Sequence, residues 1–164
     1  MLDIGGSTGT LICHLLASHR HLKGAVLDLP EAHAGATAMF AEAGVADRAE
    51  FVAGDFFASV PTGYDVHLLT AVLHDWGDED CVRLLCASTA ALAPGGRIVV
   101  VDSELVPGAR NSFAQATDAL MLAFTPGGQE RTADQFHALW PRAGLRCTSS
   151  TRSASRGPSS TDRR

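Results

Sequence analysis

Short apolar runs alternate along the chain with stretches in which apolar residues recur every three or four positions. Met1–Ile4 reads as the end of a strand. From Thr8 the period lengthens, and Leu11, Ile12, Leu15 and Leu16 fall on one face, which predicts a helix. Ala25–Leu27 is a second strand closing on Asp28. Pro30 suits the first position of a helix striped by Ala36, Met39, Phe40 and Ala43 and ended by Gly44. Glu50–Ala53 and Asp65–Thr70 predict strands three and four. Asp78-Glu79-Asp80 opens the next helix, since acids oppose the positive end of a helix dipole, and Pro94-Gly95-Gly96 follows its end. Arg97–Asp102 (RIVVVD) is a fifth strand, whose unbroken β-branched run predicts burial on both faces. Two further helices are striped by Phe113, Ala116, Leu120 and Phe124, and by Phe136, Leu139 and Trp140. A sixth strand would start at Leu145, where the apolar residues run out at once.

Strand and helix in regular alternation predict an α/β domain: a doubly wound, mostly parallel sheet covered by helices on both faces, with closure incomplete at the C-terminal side. Such sheets carry their chemistry at the carboxyl ends of the strands, near the point where strand order reverses. The polar residues worth attention fall there: Asp3 to Gly9, Asp28, Asp55, His74-Asp75 and Asp102.

Composition narrows the picture. The chain has 164 residues and a formal net charge of −5, enough for one domain with a real core. Residues 1–141 hold 17 acids and 7 basic residues, whereas residues 142–164 hold 1 acid and 6 arginines. The stretch CTSSTRSASRGPSSTDRR from Cys147 lacks the large apolar residues that ordering requires. The expected folded unit is therefore 1–147, followed by a disordered Ser/Arg-rich tail over 148–164. No apolar run is long enough to span a bilayer, and MLDIGGSTG does not read as a secretory leader. Cys13, Cys81, Cys86 and Cys147 have neither CxxC nor zinc spacing, which fits idle thiols in a reducing cytoplasm. The acidic fold argues against general nucleic-acid binding.

Asp3-Ile4-Gly5-Gly6-Ser7-Thr8-Gly9 lies between a strand and a helix, where glycines let a backbone turn sharply and approach a ligand. Its spacing is neither the G-x-G-x-x-G fingerprint nor a P-loop. Asp28, 19 residues after Gly9, is placed to accept hydrogen bonds from a ribose diol of NAD or S-adenosylmethionine; it could equally cap the Pro30 helix. Asp55 and Phe56, after strand three, pair a carboxylate with an aromatic face, as adenine recognition needs, although a turn acid beside core phenylalanines would look the same. His74, just past strand four, is a candidate general base. His67, inside that strand, reads as a packed core residue.

Taken together, LDIGGSTG, VLDLP, GDFF, VLHDWGDEDC, LAPGGRIVVVDSEL and TPGGQERT resemble, in order, the catalytic domain of S-adenosylmethionine-dependent O-methyltransferases. The resemblance is to the metal-independent group that includes the plant caffeic acid, hydroxyindole and bacterial polyketide enzymes. It covers residues 1–145 and implies methyl transfer to a hydroxyl, phenolic in most such enzymes, of a small acceptor. Gly5 and its neighbours would contact the methionine part of the cofactor, Asp28 the ribose, and Asp55 with Phe56 the adenine. His74 would be the base, flanked by Asp102 and Glu130, with no metal. Ser7 departs from a glycine common in the family loop. Thr70 stands where relatives often carry Lys or Arg, and Asp102 is one methylene shorter than the usual Glu. Family members are homodimers through an N-terminal helical domain, and they end in a β-hairpin that completes the sheet. Neither is legible here, so we expect the acceptor pocket to be partly missing and turnover by this chain to be weak. Acceptor specificity would lie partly in the helix around Met121 and Phe124. Two other readings stay open on the residues alone: a cofactor-binding relic without catalysis, and a nicotinamide-dependent oxidoreductase.

Overall fold

A computed structural model describes residues 1–108, 113–125 and 127–152. Five parallel strands, β1 (Leu2–Ile4), β2 (Gly24–Asp28), β3 (Ala49–Ala53), β4 (Val66–Thr70) and β5 (Arg97–Val101), lie in the order β3-β2-β1-β4-β5. Strand order reverses between β1 and β4, so both neighbours of β1 deliver their carboxyl ends to the same crevice. The register sets Ile4 beside Leu27, Asp28 beside Ala53, and Thr70 beside Val101.

Helices α1 (Thr10–Ser18) and α2 (His33–Glu42) cover one face of the sheet; α3 (Asp78–Ala91) and α5 (Ala133–Arg142) cover the other. Ile12, Leu16, Val26, Ala36 and Phe40 pack the first layer, and Ile4, Leu27, Leu69, Leu84, Leu85 and Leu139 the second. α1 starts at Thr10 rather than Thr8, because Gly9 is in the left-handed region at φ 75° and closes the loop before the helix begins. A Cβ on Gly9 would lie 2.7 Å from the Phe40 ring, so only glycine allows α1 and α2 to pack this closely. Pro30 opens a short 3-10 turn, Pro30–Ala32, that runs into α2. Arg48 donates to the Leu16 oxygen in the last turn of α1 at 3.0 Å and to the Leu22 oxygen in the loop beyond it at 3.1 Å. α5 starts on a capping box, in which Thr132 and Gln135 each accept the other's main-chain N–H. His67 is buried, its Nδ1 2.8 Å from Ser88 Oγ.

Three expectations need correction. β5 is only partly buried, at the alternate residues Ile98 and Val100, and Val101 is 54% exposed. Val99 and Val101 are exposed and join neither core cluster, so the β-branched run reflects strand propensity rather than burial on both faces. α4 (Phe113–Phe124) also turns the other way from its apolar stripe. Phe113 and Phe124 are 79% and 80% exposed, while Ala114, Thr117, Asp118 and Met121 face inward. No strand forms at Leu145: residues 145–152 have neither helix nor strand. The expected tail over 148–164 falls mostly outside the described residues.

Candidate active site

After β1 the chain turns at Gly5 (φ 72°), whose N–H bonds the Leu27 oxygen at 2.8 Å. Gly6 passes so close to the Asp3 carboxylate that a Cβ there would stand 2.6 Å from its Oδ2. Ser7 then takes φ 51°, a left-handed conformation that costs a non-glycine residue roughly 1–2 kcal/mol. A glycine, which the resemblance implies at that position, would carry no such strain. Asp28 Oδ2 accepts the Ser7 N–H at 2.7 Å, and Oδ1 accepts that of Leu29 at 2.7 Å. It is thus an anchor between loop and strand rather than a cap on the Pro30 turn, and each oxygen retains a lone pair facing outward. Asp55 is exposed and folds back on the Phe57 N–H at 2.8 Å. Phe56 leans toward Gly5, 3.7 Å from where a Cβ would sit, and meets Trp76 edge-on with centroids 6.0 Å apart.

Asp3 is a residue that the sequence set among several candidates without assigning a role. It is buried, its Oδ1 has no hydrogen-bond partner, and burial followed by the nearby Asp28 charge pushes its pKa up to about 6. Thr70 Oγ1 is a second buried atom without a partner. A carboxylate oxygen left unmatched beside a glycine loop is suited to a cationic group of a ligand, because leaving it unmatched costs the full desolvation of that oxygen. The residues present therefore fit a cofactor carrying an ammonium, a ribose and an adenine.

Ala71, directly after β4, enters the left-handed region at φ 52° and turns the chain back across the sheet end. Val72 then touches Gly5, and a 3-10 turn, Leu73–Asp75, presents His74. The imidazole is 14% exposed. Its Nδ1 lies 3.1 Å from Glu130 Oε1 and 3.4 Å from Asp102 Oδ1, and its Nε2 is 3.6 Å from Asp75 Oδ1. The short Asp102 side chain reaches ion-pair range and stops outside the hydrogen-bonding distance that Glu130 achieves. Burial raises the pKa of both acids, and the imidazole beside them pulls each partly back down. Two buried carboxyls on one ring nitrogen hold a single negative charge more easily than two. A carboxylate there accepts from Nδ1–H and leaves the Nε2 lone pair for a substrate proton.

The structure thus brings His74, Asp102 and Glu130 together, their ligand-capable atoms within 4.8 Å of one another. Sequence reasoning foresaw no metal cluster; among the described residues these three do form one that could hold an ion. Gly5, Asp28, Asp55 and Phe56 line the adjacent rim. Two inward residues were missed. Asp118 of α4 accepts the Glu130 N–H at 2.9 Å, and Arg131, fully buried, holds the His74 turn from behind. The signal for both lay in α4's polar stripe and in the arginine of GGQERT.

A reversed parallel sheet, a glycine loop with a buried acid, and an acid-flanked histidine thus meet at the carboxyl ends of the strands, where α/β domains of this kind bind their ligands. The family model described as O-methyltransferase domain matches residues 1–146, and the chain belongs to that family. It is 38% identical over 147 residues to the mitomycin biosynthesis 6-O-methyltransferase of Streptomyces lavendulae, covering 88% of this chain and 41% of that protein. It is 39% identical to the aclacinomycin 10-hydroxylase RdmB of Streptomyces purpurascens, over 94% of this chain and 42% of that one. Among solved structures it resembles NcsB1, an O-methyltransferase from neocarzinostatin biosynthesis in complex with S-adenosyl-L-homocysteine and 1,4-dihydroxy-2-naphthoic acid. The TM-score is 0.78 at 36% identity, covering 87% of this chain and 42% of that one. The chain therefore spans about two fifths of the length of these relatives. No helix of the described residues is long and apolar enough to cross a membrane.

Proposed function

We propose that this chain transfers a methyl group from S-adenosylmethionine to a hydroxyl, phenolic by preference, of a small secondary-metabolite-type acceptor, with His74 as general base. The reading is carried by the His74 ring, whose Nδ1 faces two buried acids while Nε2 points away from them. Its support from relatives is the run of O-methyltransferases among them, one of them solved with S-adenosyl-L-homocysteine and a dihydroxynaphthoic acid.

When bound, the cofactor supplies an electrophilic methyl group on a sulfonium. Gly5 and the Asp3 carboxylate would hold its amino-acid end, Asp28 its ribose, and Asp55 with Phe56 its adenine. A phenol with a pKa of about 10 is mostly protonated at pH 7, so its oxygen needs a base as it begins to bond. His74 Nε2 would take that proton, leaving the oxygen electron pair free to accept the methyl group that the cofactor would supply. Glu130, hydrogen-bonded, and Asp102, in ion-pair contact, stabilise the imidazolium on the opposite nitrogen. Holding acceptor and methyl in line supplies several further kcal/mol by proximity. On this reading the trio is a proton relay and needs no cation, so treatment with a chelator leaves turnover unchanged.

A second reading rests on α4. Its inward face supports Glu130 through Asp118, yet its apolar face, with Leu122 70% exposed, is uncovered among the described residues. Residues 1–164 alone would then hold cofactor but turn over slowly until that face is covered. Methyl-tritiated cofactor incubated with a panel of phenols tests both readings. Label in an acceptor, lost in H74Q, supports transfer; cofactor binding with no label supports the second reading. A hydroxylated, unlabelled product would align the chain with the hydroxylase relative instead and overturn methyl transfer.

A further inference from the structure

His74, Asp102 and Glu130 come from three separate segments; the β4–β5 pairing ends at Thr70 and Val101, short of His74, and Glu130 lies on none of the five strands. Arg131 touches all three segments. Its side chain is fully buried, which is rare for arginine, and all five N–H donors are used. Nη1 donates to the Leu73 oxygen at 2.9 Å and to the Gln129 oxygen at 3.4 Å. Nη2 donates to the Trp76 oxygen at 2.8 Å and, with Nε, to Asp78 Oδ1 at 2.7 and 3.0 Å. Leu73 and Trp76 bracket His74-Asp75, so one guanidinium grips both ends of the turn that presents the imidazole. Within the turn the Leu73 oxygen accepts only a long bond from the Trp76 N–H at 3.3 Å, and Arg131 supplies shorter ones. From the main chain, Arg131 accepts the Leu105 N–H at 2.9 Å and bridges to Glu104, tying down the segment that carries Asp102. Glu130 is its immediate neighbour. The Gln129 N–H adds a bond to the His74 oxygen at 2.8 Å, and Gly128 approaches that oxygen so closely that a Cβ would stand 2.6 Å away.

We propose that Arg131 is a positioning residue, with Asp78 as its counter-ion, that sets the distance between the His74 ring and its two acids and so keeps the Nδ1 proton directed at Glu130. The role rests on the proposed proton transfer to His74, and it concerns the ring's orientation rather than the cofactor. A planar, five-donor fork is required: lysine keeps the charge but cannot hold two carbonyls and a carboxylate together.

The test is made on the full chain with 15N-labelled histidine, saturated with S-adenosylhomocysteine, at a pH where the ring is neutral. Long-range proton–nitrogen spectra report which ring nitrogen of His74 carries the hydrogen. The wild type is expected in the Nδ1–H form. R131K, and to a lesser extent D78N, should move the population toward Nε2–H while cofactor affinity by calorimetry stays unchanged. Where turnover is measurable, kcat in R131K should fall on the order of 100-fold, the scale of a small misplacement of a reacting group. Because Asp78 is half exposed, D78N remains decisive if R131K does not fold. Retention of the wild-type tautomer in folded variants overturns the proposal, and so does a joint loss of tautomer and cofactor affinity, which would mark a general support of the fold. An absence of methyl transfer in the wild type would remove the proposed function without touching the tautomer result.

Discussion

The two halves of the crevice are built on different principles. The rim formed by Gly5, Asp28, Asp55 and Phe56 is an extension of the sheet: each residue ends a strand or closely follows one, and short bonds from main-chain N–H groups to side-chain carboxylates, such as Ser7 N–H to Asp28, hold it. The trio of His74, Asp102 and Glu130 depends on loops, with the histidine and Glu130 56 residues apart, and its acids are buried where the rim acids are open. A site built on strand ends tolerates the loss of one contact because the backbone stays in place. A site assembled from loops depends on every side chain that holds the loops together.

Substitutions can break or sharpen this contrast. The largest effect is expected from H74Q: kcat should fall roughly 10²–10⁴-fold, as for loss of a general base, while S-adenosylhomocysteine affinity by calorimetry is unchanged. Next, E130Q should cost about 10–100-fold in kcat, the scale of a hydrogen bond to a charged group. D102N should cost less, because Asp102 stands at 3.4 Å rather than 3.1 Å from Nδ1. Equal losses in steady-state kinetics would show that the two acids act as one unit. On the rim, D28N should weaken cofactor binding by about 1.5 kcal/mol with kcat nearly preserved. If kcat falls as far as in E130Q, the two halves are not separable.

Two stability measurements extend the comparison. The folded chain holds the Asp3 proton up to about pH 6, whereas the unfolded chain releases it near 3.8. Stability from this group therefore declines as pH rises from about 4 through 6, and the deficit persists above that. D3N should remove the deficit, raising thermal stability by on the order of 1 kcal/mol at pH 8 and much less at pH 4.5, while weakening cofactor binding. The smallest effect is S7G, which relieves the left-handed serine and should stabilise the chain by about 0.5–1 kcal/mol in denaturant unfolding.

Most of the rim was legible in the sequence because its determinants are local. Glycine spacing, a strand ending on an acid and a proline at a helix start each act within a few residues, and β1 to β4 appear within a residue or so of where hydrophobic alternation places them. The orientation of α4 was not legible. Periodicity identifies an apolar stripe on Phe113, Leu120 and Phe124, but it does not say which stripe faces in, and here the Asp118 side does, because the Glu130 N–H needs an acceptor. Likewise, RIVVVD reads as doubly buried only if something covers β5, a fact of tertiary arrangement. Arg131 was hidden by the expectation that arginines lie outside, and its carboxylate partner is 53 residues away. The resemblance supplied Glu130 and Asp102, which no local pattern could have brought to His74.

The stretch from Gly128 to Thr132 has a consequence for protein engineering. In five consecutive residues it supplies a close backbone approach, a hydrogen bond to the His74 turn, a buried acid, a guanidinium clamp and the cap of α5. Each of these residues makes its own contact to the His74 turn, to the acids or to α5, so replacing any one of them alone breaks a contact. A chimera that exchanges α4 with a relative should therefore place its crossover before Thr125, whose hydroxyl already serves the Gly128 N–H, and should carry the following strap as an indivisible cassette.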